Sequence, residues 1–360
     1  MSSICPYPGL RPFTEEESIY FKGRDTHIEQ IVAQLEQRKF LMLTGASGDG
    51  KSSLVYAGVI PNARAGFFKA KYNNWVVADF RPERAPLRHL ANSLAKRLKL
   101  DAAETEKELG FGFSSLINLY KSSECYLDMD GDKWKNADEK EKKLLKRKAS
   151  NLLILADQFE EFFTNPENYS RGVTSKESQL VVNLLLETAK MALEQDIPVY
   201  IICTMRSDYI GQCAAFRGLP EMIGFSQFFV PRLKRKEIQQ VIVDPAVMSG
   251  NRISNRLTEM LINEMSEGFD QLPVLQHTLN GLWNAADKGN EEMDLLQLAK
   301  LSGISPSYLP KEDKIKFEEW FAGLPDFRKE YFTGFSLEQV LSYNYDILYK
   351  RSEDFFVFND

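Results

Sequence analysis

The chain has 360 residues, enough for two or three domains, and its 43% hydrophobic and 27% charged content is that of an ordinary soluble globular protein. A net charge of −6 and a pI near 5.4 give no electrostatic footprint for nucleic acid, although a local basic patch fits within that total. No apolar run approaches membrane-span length, the start MSSICPYPGLRPF lacks the order of a secretory signal, and Cys5, Cys125, Cys203 and Cys213 match no zinc spacing. The expected home is therefore a reduced cytoplasm.

After an extended, proline-rich start, residues 15–38 have helical periodicity, with Ile28, Ile31, Val32 and Leu35 on one stripe. The apolar run Phe40, Leu41, Met42, Leu43 and Thr44 predicts a buried strand. It leads into GASGDGKS at 45–52, and a helix-like stretch follows at 53–57. This is the P-loop pattern G-x-x-x-x-G-K-[ST] in its strand–loop–helix setting. Gly45 and Gly50 are expected to let the backbone curl, so that successive N–H groups face phosphate oxygens. The following helix adds the partial positive charge of its N-terminus. Lys51 is placed to reach the β- and γ-phosphates, and the Ser52 hydroxyl to ligate Mg²⁺. The candidate nucleotide-binding residues are Gly45, Ala46, Ser47, Gly48, Asp49, Gly50, Lys51, Ser52 and Ser53. A chance glycine-rich turn is the competing reading, and the flanking strand and helix weigh against it.

Residues 75–79 read as a second strand, and 86–100 as a helix with Leu87, Leu90, Leu94 and Leu98 on one face. Residues 101–150 are less regular. Their basic run, Lys142, Lys143, Lys146, Arg147 and Lys148, is interleaved with acids and reads as a solvated helical face. Further buried strands fall at 152–156, 199–204 and 228–230, with a long helix at 175–195 between the first two. Short apolar strands alternating with helices predict an α/β fold with a parallel, doubly wound sheet. From residue 234 the strands stop. Helices are expected at 237–248, 256–267 and 272–286, and this block is the candidate lid.

Two further elements carry chemistry. The strand in LLILADQFEEFF, residues 152–163, delivers Asp157 at its C-terminal end, where open α/β sheets place their ligands. Asp157 is the natural metal-binding carboxylate, holding Mg²⁺ through water. Glu160 or Glu161 can polarise the attacking water, and the sequence leaves the choice open. We expect Glu161 to be the base and Glu160 to lie nearer the metal. In ICTMRSDYI, residues 202–210, Arg206 follows a buried strand. With an extra strand between the P-loop strand and the Asp157 strand, Arg206 would face the γ-phosphate. A structural salt bridge is its competing reading, with Asp208 as cap or partner. His27, His89 and His277 form no cluster.

These residues together resemble the STAND class of signal-transduction P-loop ATPases, specifically the novel STAND NTPases. CPYPGLRPFTEEESIYFKGRD is similar to the family's PYPGLRPF…FFGRE box, and GASGDGKSSL to its P-loop, with Asp49 where the family usually has Ser. DQFEEFF matches its acidic signature, TMRSDYIG its sensor block, and GFDQLPVLQHTLNGLW its lid block. The resemblance runs from about Pro6 to Trp283 and implies an AAA/STAND-type NTPase. It further implies that Phe21, Gly23 and Arg24 border the adenine and ribose, and that Pro273 packs on the base. ADP would hold a closed monomer, and exchange for ATP would open the lid and drive self-association onto an effector. Bacterial members are associated with signalling and with defence against phage. ATP rather than GTP rests mainly on this resemblance, the chain having no N-K-x-D motif.

The match begins within the first ten residues, and the sequence reading therefore expects no effector domain ahead of it and no WD40 or TPR repeats behind. The expectation is either a fragment of a longer protein or a chain whose sensor and effector are supplied by a protein partner. Residues 290–360 fall outside the resemblance and are rich in aromatics, among them Phe317, Trp320, Phe321, Tyr343 and Phe356. They read as a small helical accessory segment or as a binding tail. The expected division is an NTPase domain at 1–232, a helical lid at 233–289 and this accessory segment at 290–360. The leading function is a slowly hydrolysing, Mg²⁺-dependent ATPase switch. The alternatives are an AAA-type motor acting on nucleic acid or protein, and a nucleotide-gated scaffold.

Overall fold

The computed structural model of the chain describes residues 4–265, 271–302 and 309–325. These residues divide into two compact units. The sheet unit comprises residues 25–47 and 54–231, and the helical unit comprises the described parts of 1–24, 48–53 and 232 onward.

The sheet unit is built on strands β1 (Phe40–Gly45), β2 (Asn74–Phe80), β3 (Ser150–Ala156), β6 (Val199–Arg206) and β7 (Gln227–Phe229), with β4 (Tyr169–Ser170) and β5 (Val173–Thr174) forming a separate short hairpin. The five-stranded order is β2-β3-β6-β1-β7, and every pairing is parallel. Such strands are covered on both faces, so they read as continuous apolar runs rather than alternating ones. Every residue of β1 and β3 is buried. The helices Pro86–Leu98 and Lys176–Glu194 supply Leu90, Leu94, Val181 and Leu185 to the same core as Phe40, Met42, Leu152 and Ile201. The fold is α/β, as the alternation of apolar runs and helical stripes predicts.

Several details differ from the sequence expectation. The helical periodicity over 15–38 is broken into a 3₁₀ turn, Glu15–Tyr20, and the helix Asp25–Arg38. Gly23 lies in the break at φ +76, and a Cβ there would come 2.5 Å from the Glu237 carbonyl oxygen, so the chain must bend with no side chain. The helix beginning at Pro86 ends at Leu98, because Lys99 turns left-handed at φ +60. The irregular stretch 101–150 contains the helices Ala102–Leu109, Ser115–Ser122, Asp132–Lys135 and Glu139–Lys148. The Asp101 and Asp138 carboxylates cap the first and last of these by accepting from the Glu104 and Glu141 N–H groups. The basic run lies on Glu139–Lys148, where Lys142 and Lys146 also stand over the Trp134 ring.

In the helical unit, the helices Arg235–Met248, Asn255–Glu264, Gln271–Ala285, Leu295–Ser302 and Lys311–Ala322 share one core around Trp283, Leu279, Ile242 and Leu257. Two features of that core were not visible in the sequence. Tyr7, from the chain start, is fully buried in it; its hydroxyl donates to the Ile242 carbonyl at 2.6 Å, and the Asn280 amide donates to the Tyr7 carbonyl at 2.7 Å. Leu295, Leu298, Leu309 and Phe317 belong to the same core. Most of the aromatic-rich segment expected at 290–360 lies outside the described residues, as does 266–270 of the lid block.

Candidate functional site

The parallel sheet brings the C-terminal ends of its strands to one edge. In the register, Gly45 pairs with Arg206, Ala156 with Cys203 and Phe80 with Ala156. The start of the P-loop, Arg206, Asp157 and Arg81 therefore leave the sheet at the same edge. β6 stands between β1 and β3, which is the inserted strand that the sequence reading of Arg206 required.

Asp157 continues β3, its N–H donating to the Phe80 carbonyl at 2.9 Å, and it is 1% exposed. A carboxylate buried this deeply requires hydrogen-bonding or cationic partners. The Thr204 hydroxyl donates to Oδ1 at 2.7 Å, and the Arg81 guanidinium lies 3.4 Å from Oδ2. The chain then turns at Gln158, a non-glycine residue at φ +58, a strained conformation of the kind that clusters at functional sites. That turn is clamped to β6: the Gln158 N–H donates to the Thr204 hydroxyl at 2.9 Å and the Phe159 N–H to the Thr204 carbonyl at 2.8 Å. Phe159, Phe162 and Phe163 are buried and anchor the segment from below.

This anchoring sends the two glutamates in opposite directions along the edge. Glu160 Oε2 accepts from the Arg206 N–H at 3.3 Å, on the β6 side. Glu161 Oε2 accepts from the Glu83 N–H at 2.9 Å, beyond the end of β2. In the order β2-β3-β6-β1, Glu160 is turned toward the P-loop strand and Glu161 away from it. Burial pushes the Glu161 carboxyl above the usual glutamate range, against the lowering effects of the Glu83 N–H and of Arg81. The Arg206 guanidinium pairs with Asp208 at 2.6 Å and lies over the Tyr209 ring. The salt-bridge reading of Arg206 thus describes the geometry, with the side chain still about two-fifths exposed.

The P-loop joins β1 to a helical run formed by Lys51–Ser53, a π-helical stretch Leu54–Val59 and Ile60–Arg64. π-Helical turns recur at functional sites. The curl comes at Gly48 (φ +78) and Gly50 (φ +80), whereas Gly45, expected to be a turning residue, is the last extended residue of β1. An added Cβ at Gly50 would meet nothing within 4 Å, so its requirement for glycine is conformational.

In the helical unit, the N-terminal box braces residues 48–53 of the loop. The Arg24 guanidinium donates to the Asp49 carbonyl at 3.0 Å; it is 3% exposed, and burial brings its pKa down to about 10. The Phe13 N–H donates to the Ser53 hydroxyl at 3.1 Å, and the Phe21 ring packs on the Phe13 ring. Arg24 and Phe13 are thus fastened to the P-loop backbone and to Ser53. Pro273 lies in the first turn of Gln271–Ala285, partly buried, in a helical position that tolerates proline.

Thr204 and Arg81 were not singled out in the sequence. Thr204 could have been: it is the one polar residue between Val199 and Met205 in an otherwise apolar strand. Arg81 had only its place directly after a strand to mark it. The Asp157 carboxylate offers hard oxygen donors, the chemistry that suits Mg²⁺. Among the described residues no group of three or more His, Cys, Asp or Glu side chains could hold a metal by itself, so the cation would share its shell with phosphate oxygens or water.

The fold is similar to solved structures. The Aeropyrum pernix ORC2 protein, solved as ADPNP–ADP complexes, matches with a TM-score of 0.51 at 12% identity, over 91% of this chain and 86% of that one. A chain of the Escherichia coli MS115-1 HORMA:CdnC:Trip13 complex matches at 0.47 and 13% identity, over 83% of this chain and 95% of that one. At 12% identity the likeness to the first of these is one of fold alone. Comparison with curated proteins finds no match. The family model of novel STAND NTPase 1 matches residues 6–308, which include the N-terminal box, the P-loop, the acidic strand end and the sensor block. The chain belongs to the novel STAND NTPase 1 family of P-loop NTPases.

Proposed function

We propose that the chain is an ATP-binding, slowly hydrolysing switch that controls an effector in bacterial signalling or defence against phage. One observation carries the reading: β6 lies between β1 and β3, so Gly45, Arg206 and Asp157 leave one edge of one sheet. In this reading the N–H groups of 45–52 and Lys51 hold the phosphates, and Ser52 and Asp157 hold Mg²⁺. Mg²⁺ would supply neutralisation of phosphate charge there. Glu160 is the base we assign to the attacking water, in place of Glu161, because it faces the P-loop side of β3. Arg206 must leave Asp208 to reach a phosphate oxygen. A guanidinium engaged elsewhere at rest supports slow basal turnover.

The helices from Arg235 to Ala322 are the lid in this reading, extending past residue 289 because Leu295, Leu298 and Phe317 share its core. Nucleotide exchange would promote self-association and engagement of a protein effector or sensor. The four cysteines are free thiols, which suits a reducing cytoplasm. Among the described residues no helix is long and apolar enough to cross a membrane.

The test is to denature freshly purified protein and identify the released nucleotide by chromatography, then to measure ATP turnover. Near-stoichiometric ADP with slow turnover supports the switch. Absence of bound nucleotide, with fast turnover stimulated by DNA or RNA, would instead establish a motor.

A further inference from the structure

Arg81 belongs to no motif of the chain, yet it touches the carboxylate assigned to the metal. It follows β2 directly, on the strand next to β3, and its guanidinium lies 3.4 Å from Asp157 Oδ2. The two partners differ sharply in exposure: the Asp157 side chain is 1% exposed and that of Arg81 44%. The contact is a single N···O approach near the outer limit of a hydrogen bond rather than a two-pronged grip. The other carboxylate oxygen is held differently, by the Thr204 hydroxyl at 2.7 Å, which is itself fixed by the Gln158 N–H. One oxygen of Asp157 is therefore locked to the sheet. The other faces a cation that can swing into solvent, with Glu161 near enough to feel its charge.

We propose that Arg81 is a positioning residue that competes with the divalent cation for Asp157 Oδ2, setting the Mg²⁺ concentration at which the site loads. This rests on the ATP-switch reading above. A buried carboxylate is stabilised by either cation, and a guanidinium at Oδ2 would repel a hydrated metal approaching the same oxygen, so the two would exclude one another. The exposed stem lets Arg81 leave without unpacking the core. The locked Oδ1 keeps the carboxylate oriented through the exchange. Arg81 thus shifts metal loading to a higher Mg²⁺ concentration than the carboxylate alone would require.

The test is Mg²⁺ titration of a fluorescent ADP analogue bound to the full chain, read as binding rather than turnover. Arg81→Gln should lower the half-saturating Mg²⁺ concentration roughly fivefold, the equilibrium factor of an ion pair at the strong end of the exposed range. Arg81→Lys, which keeps the charge, should stay within about twofold of wild type. Analogue affinity in excess chelator should be the same in all three, which also shows that the variants fold. An unchanged or raised half-point in Arg81→Gln overturns the competition. Weakened binding in chelator also overturns it, because Arg81 would then be a phosphate ligand. A wild-type chain that binds no nucleotide with or without Mg²⁺ removes the ATP reading and the role of Arg81 together, whereas the other two outcomes leave that reading standing.

Discussion

In the sheet unit, charged groups are placed by strand register. Asp157, Arg206 and Arg81 each follow an apolar strand, and parallel pairing brings them to one edge regardless of their distance in sequence. In the helical unit, the chain start is held by long-range packing: Tyr7 lies more than 230 residues from its hydrogen-bond partner Ile242. The first unit gathers its strands by parallel pairing of buried apolar runs. The second also packs a side chain from the chain start, Tyr7, among its helices. The charged groups separate accordingly, with acids and arginines on strand ends and the backbone-bracing Arg24 on an irregular segment.

The largest expected effect tests the helical side of that contrast. Tyr7→Ala removes a fully buried aromatic and its hydroxyl bond, and should cost about 3–5 kcal/mol. Residue-resolved hydrogen exchange should show the loss across the helices from Arg235 to Ala322, with the strands of the sheet retaining their protection. Equal loss in both units would show that they unfold as one body and would remove the contrast.

The sheet side is tested at the paired glutamates. Glu160→Gln should lower the ATP hydrolysis rate by roughly a hundredfold or more while sparing ATP affinity. Glu161→Gln should change the rate far less, since its carboxylate is turned to the Glu83 N–H. Single-turnover kinetics of the two variants decide the matter. A larger defect in Glu161→Gln would mean that strand order does not select the base.

A smaller effect is expected at the P-loop. Lys51→Ala should weaken ATP binding at least tenfold, from loss of a charge-assisted contact of about 1.5–3 kcal/mol. Calorimetry on the folded variant measures it, and an unchanged affinity would detach this loop from nucleotide binding.

The aromatic spacing in DQFEEFF shows where local reading stops. Its residue types identified the segment as a strand end carrying acids. The expectation that Glu161 is the base came from the linear sequence, which ranks two adjacent carboxylates almost equally. They part only because Phe159, Phe162 and Phe163 are buried and Gln158 turns left-handed, pointing one acid to β6 and the other past β2. Likewise, the glycines of the P-loop were visible as a pattern, but the curl falls at Gly48 and Gly50 because Gly45 is committed to pairing with Arg206.

The amino-acid order by itself determined the P-loop, the buried strands, the α/β class and the family blocks. Each of these is encoded within some ten residues, as apolar runs, helical stripes or fixed spacing. Only the tertiary structure decided that β6 lies between β1 and β3, that Arg81 meets Asp157, and that Tyr7 fills the helical core. Those are pairings between segments tens to hundreds of residues apart. They are chosen by which surfaces bury together and which strands share hydrogen bonds, a competition over the whole chain that leaves no local mark on the residues that win it.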